Sequence, residues 1–73
     1  METRKKTCSM LEGYEVIFVS VSGVHTEYVL GGYDEVLDYV ANQEQAYGVK
    51  ASEPRLVRIP EKLDDNQSVK RLL

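Results

Sequence analysis

The single histidine His25 and the single cysteine Cys8 are the first side chains to weigh for nucleophilic or general-base work. Either would need a partner to activate it and a third group to orient that partner. No such pair can be picked out of the sequence, and a lone thiol is more often a small buried hydrophobe than a nucleophile. One His and one Cys cannot supply the four ligands of a structural zinc site. The D-x-[DN]-x-[DN]-G spacing of a calcium loop is absent, as are G-x-x-x-x-G-K, G-x-G-x-x-G and H-E-x-x-H. Gly31-Gly32 is explained by a turn between a strand and a helix. The expectation is a protein that is not an enzyme, with no catalytic residue, metal or cofactor.

The carboxylates are a stronger signal. Residues 8–49 contain Glu12, Glu15, Glu27, Asp34, Glu35, Asp38 and Glu44 and not one Lys or Arg, whereas both ends of the chain carry an excess of base. The formal charge of −3 therefore understates how acidic the middle is. Contact with nucleic acid through this region is disfavoured, because phosphates are held by Lys and Arg. The plain reading is a solvated helix face, but such faces usually mix Glu with Lys, since opposite charges four apart support a helix. The functional reading is a phosphate mimic that attracts a protein whose basic groove normally holds DNA. Asp34, Glu35 and Asp38 would lead that surface, with Glu27, Glu12 and Glu44 contributing. Tyr39, at the edge of the apolar arc, would join it, tyrosine being common at interfaces.

These residues must be positioned by a small set of elements. Tyr14 to Val21 is rich in β-branched and aromatic residues and reads as a strand. Ser22-Gly23 supplies a two-residue turn, and Val24 to Leu30 returns. Pairing Val21 with Val24 would place Val19 opposite Thr26, Ile17 opposite Tyr28 and Glu15 opposite Leu30. The other face would carry Ser20 with His25, Phe18 with Glu27 and Val16 with Val29. Neither face is cleanly polar, and one helix can cover only one of them. From Tyr33 or Asp34 to Tyr47 the period is helical, with Gly48 placed to end it. Tyr33, Val36, Leu37, Val40 and Tyr47 share the apolar arc, and Glu44 is a misfit within it. Arg55 to Ile59 reads as a third strand, with Val57 and Ile59 toward the helix. Thr7 to Leu11 is a weaker strand signal, and residues 61–73 read as a short helix or a loose tail.

The expected fold class is α+β, a small ββαβ domain with an antiparallel hairpin, a third strand and one covering helix. Its 73 residues suffice for one domain, with a core at about 14–59, a basic arm at 1–7 and a charged tail at 61–73. A chain this short buries only about 60% of its unfolded surface. With no disulfide or metal available, oligomerisation is the remaining support. It is not obligatory, since some domains of this size fold alone. The partly apolar hairpin face, with Val16, Phe18 and Val29, could serve as an apolar anchor for a partner or as a dimer seam. Cysteine poverty, the lack of a signal-peptide apolar region and the lack of a membrane-length run suggest a cytoplasmic location.

The order hairpin, helix, strand, with Tyr14-Glu15-Val16 opening the first strand and Arg55-Leu56-Val57-Arg58 in the last, resembles small phage-encoded inhibitor proteins. It is similar in layout and acidity to the uracil-DNA glycosylase inhibitors of phi29-like phages. Phage proteins that block the nucleoid-associated protein HU form a second family of this kind. The resemblance implies a homodimeric DNA mimic that presents acidic and apolar groups to a basic DNA-binding protein of the host, HU first and the glycosylase second. A structural or regulatory subunit docking through the hairpin is the alternative.

Overall fold

The computed structural model describes residues 8–72. The arm 1–7, with its basic triplet Arg4-Lys5-Lys6, and the Cys8 side chain lie outside the described residues. The chain forms β1 (Cys8–Ser20), β2 (Gly23–Leu30), α1 (Tyr33–Tyr47), β3 (Lys50–Ala51), β4 (Arg55–Pro60) and β5 (Gln67–Arg71). The class is α+β, with a mixed sheet of five strands and one helix. Strand β1 is the axis of the sheet. One of its edges pairs antiparallel with β2, and the other pairs antiparallel with β3 and β4. Strand β5 lies parallel to β2 on its far side.

The hairpin corrects the expected register. Val19 lies opposite Val24, Phe18 opposite His25, Val16 opposite Glu27 and Tyr14 opposite Val29. The turn is therefore Val21-Ser22, with Gly23 at a φ of 135° that a side chain would resist. A Ser20 to Ser22 hydroxyl bond of 2.8 Å ties the turn. The slip is two residues, and strand side chains alternate with a period of two. Each residue consequently keeps its expected face although its partner changes.

Helix α1 covers the face carrying Val16 and Val29. Val16, Val29 and Val36 are fully buried, each contributing about 1.5–3 kcal/mol, and Val40 completes the cluster. Tyr14, Phe18, Tyr39, Ala51 and Leu72 pack around it, so the packed unit extends to Leu72 rather than stopping at 59. Tyr14 and Tyr33 stack tilted at 5.5 Å, closing the N-terminal end of the helix. The helix begins where Glu35 Oε1 accepts the Gly32 N–H at 2.8 Å, and it ends at Gly48 in the left-handed region at φ 64°.

Three further expectations are revised. Leu56, not Val57, lies opposite Tyr14 and so shares the helix side of the sheet. Val57 and Ile59 point the other way, where Ile59 meets Leu30 over Gly13 and is only 4% exposed. The tail is neither helix nor loose chain. Its residues Gln67–Arg71 form β5, and Leu72 N–H continues the pairing to Leu30 O at 2.9 Å. The weak signal before Tyr14 is the start of a continuous β1, interrupted only by a register irregularity between Cys8 and Glu12.

Candidate functional site

Opposite Val16, Glu27 lies on the helix side of β2, and α1 places Tyr39 above it. Tyr39 OH donates to Glu27 Oε1 at 2.5 Å, and Ser68 Oγ on β5 donates to Glu27 Oε2 at 3.4 Å. Ser68 Oγ is also 2.8 Å from His25 Nε2. The four groups form one continuous hydrogen-bonded chain if the His25 Nε2–H donates to Ser68, which then donates to Glu27. Burial, followed by the bond to Glu27, pushes the Tyr39 phenol well above the usual tyrosine value, which keeps it a donor. Lys70 Nζ lies over the Tyr39 ring, 5.8 Å from its centroid.

The Ser68–His25 distance would suit a nucleophile and its base. A working pair needs an acid on the second ring nitrogen of the histidine, as in a Ser-His-Asp triad. Here the acid is on the serine instead, and among the described residues nothing orients the far side of the His25 ring. The geometry suits a polar clamp that fastens β5 and α1 to β2. Sequence reasoning missed Ser68 because it lies 41 residues from Glu27 in a segment read as tail.

Beside the clamp, between α1 and the sheet, is a shallow cleft of about 180 Å³ lined by Phe18, His25, Glu27, Gln43, Tyr47 and Val49. Glu27 is its one carboxylate. No Lys or Arg lines it.

The seven carboxylates of the base-free stretch do not form one surface. Glu44, the misfit of the apolar arc, reaches down to accept the Ala51 N–H at 2.9 Å and so holds β3. Glu35 serves the helix start, and Glu27 serves the clamp with Tyr39. Glu15 meets Arg55 at 3.3 Å, and exposed Glu12 lies opposite Arg58 on β4. Asp34 and Asp38 alone have no such task among the described residues. They are exposed on the outer face of α1, one turn apart, with Glu35 beside them. Leu37, expected in the core, is 41% exposed, on the turn between them.

Val16 and Val29 cannot form a dimer seam, because α1 seals both of them completely. Half-buried Phe18 belongs to the cleft. The aliphatic surface left open is on the opposite face of the hairpin, where Val19 and Val24 are 49% and 52% exposed beside Ile17 and Val69.

Among the described residues, no three His, Cys, Asp or Glu side chains converge as a metal site would require. Nor is any described helix long and apolar enough to cross a membrane. The elements and the clamp define the class, a small two-layer α+β domain with one acidic helix. No protein-family model, curated protein or solved structure matches the chain.

Proposed function

We propose that this protein is a non-catalytic binding module whose outer α1 face docks on the basic groove of a DNA-binding protein and keeps DNA out. The observation that carries this reading is the pair Asp34 and Asp38, exposed on a helix that contains no Lys or Arg. The two aspartates repel each other, and a helix supported only by its own sequence would have a base four residues on. Glu35 extends the negative strip, and exposed Leu37 supplies the apolar anchor that ion pairs alone do not provide. The surface is narrower than the base-free stretch suggests, since Glu27 and Glu44 work inside the fold.

The test is competition. The protein should displace a labelled duplex from a purified HU-type protein or, as second target, uracil-DNA glycosylase. Displacement should weaken steeply between low and moderate salt, because a phosphate mimic depends on screened charge. Asp34→Lys with Asp38→Lys should abolish it. Glu35 is left unchanged because it also starts the helix. Displacement that survives the double reversal would remove the helix face from the proposal.

A second reading has its own observation. The open aliphatic face at Ile17, Val19 and Val24 suits a structural or regulatory subunit, or a second copy of the chain, docking on the hairpin. Such binding would tolerate salt and respond to Val19→Lys.

A further inference from the structure

We infer that the cleft between α1 and the hairpin is a receptor for a single organic cation, an alkylammonium or alkylguanidinium group. This deepens the reading of a basic partner, whose Lys or Arg tip would be the natural source.

Glu27 is half-buried and receives two hydrogen bonds, both from neutral hydroxyls. An ionised carboxylate offers about four acceptor sites, so capacity remains. Among the described residues it makes no salt bridge, and the Lys70 ammonium lies over the Tyr39 ring, 5.8 Å from its centroid. A partly desolvated charge without a counter-ion is costly, and it attracts one from solution. The walls fit the same guest. Phe18 and Tyr47 bring aromatic rings to the cleft, and aromatic rings attract cations, while Val49 offers a surface for an alkyl stem. The side-chain amide of Gln43 supplies a further acceptor.

Size sharpens the choice. Pockets that bury a drug-sized ligand span roughly 300–1,000 Å³, and this open cleft of about 180 Å³ could enclose only one small group. It holds a handful of heavy atoms, which matches the end of one basic side chain.

The probe is n-butylammonium, titrated into the full-length labelled protein and followed through backbone amide NMR, with n-butanol as the neutral isostere and n-butylguanidinium as the second cation. Both cations should give saturable shifts confined to the six lining residues, with Kd on the order of 1–10 mM for so few atoms. The alcohol should give no saturable shift there. Glu27→Gln should weaken binding at least tenfold. Because that change touches the clamp, Tyr47→Ala provides the folding-safe test. Tyr47 is 72% exposed, and its loss should weaken binding severalfold in an otherwise unchanged spectrum. Equal response to alcohol and ammonium, full affinity in Tyr47→Ala, or shifts that never saturate would each overturn the assignment. No partner protein enters this titration, so a failed DNA competition and a failed cleft are separate results.

Discussion

Tyr39 on α1 donates its phenolic hydrogen to Glu27 on β2, and Ser68 on β5 donates to the same carboxylate. One half-buried acid thus joins the helix to both an internal and an outer strand. Among the described residues the buried hydrophobic core is only Val16, Tyr28, Val29, Val36, Val40 and Ile59, so the removal of one polar fastening should be measurable.

Tyr39→Phe keeps the ring and removes the donor. Glu27 is then left short of a partner, at a cost of about 1–3 kcal/mol. In urea the midpoint should fall with the slope unchanged. The same phenol makes stability sensitive to base. Folding raises its pKa above the ordinary 10.0, as it does for Tyr28, whose causes are burial and then the charges of Glu15 and Asp64. Above pH 10 the unfolded chain releases these protons while the folded chain retains them. Stability should therefore be independent of both phenols below pH 10 and should fall as pH rises beyond it. Tyr39→Phe should reduce that alkaline slope, and an unchanged slope would contradict the burial of the hydroxyl.

Gly13 sits in the middle of β1. A β-carbon there would lie 3.0 Å from Ile59 Cδ1, 3.1 Å from Val29 O and 3.2 Å from Leu30 Cδ2. The carbonyl belongs to a paired strand and cannot withdraw cheaply. Gly13→Val should destabilise the domain by roughly 1–3 kcal/mol despite the better strand propensity of valine. Thermal melts that show no loss would mean that Ile59 and Leu30 do not close over β1.

Glu44→Ala should loosen β3 locally. The Ala51 N–H loses its acceptor, while Ser52 still donates its N–H to Ile17 O and accepts the Ile17 N–H at its Oγ. Hydrogen exchange at Ala51 should accelerate several-fold, with global stability lower by about 1 kcal/mol. Glu44→Gln keeps an acceptor oxygen and should restore protection.

Much of this architecture was legible in local pattern. The hairpin strands, the helix ending at Gly48 and the Arg55–Pro60 strand follow from alternation, helical period and glycine. The two-residue register slip was not, because Val21 suits either a strand or a turn, and an even slip leaves every face intact. Strand β5 was hidden for a different reason. Gln67-Ser68-Val69-Lys70-Arg71 has one apolar residue, and the open edge of β2 orders it through backbone hydrogen bonds that any sequence can make. The roles of Glu27 and Glu44 were equally hidden. Composition reports how many carboxylates there are, but only tertiary contacts separate those that bond inward from those that face solvent.

That separation makes the helix face separable from the fold. Asp34 and Asp38 accept no hydrogen bond from the described residues, while Glu35 keeps its capping bond. Asp34→Asn with Asp38→Asn removes their mutual repulsion, which favours the helix. It also removes negative charge near the helix start, which opposes it. The two effects are similar in size and opposite in sign, so Tm should move by less than about 3 °C. Competition with duplex DNA should weaken at low salt and lose most of its salt dependence. A large drop in Tm would show that the aspartates serve the fold. An unchanged Tm with undiminished competition would move the partner surface to the open hairpin face.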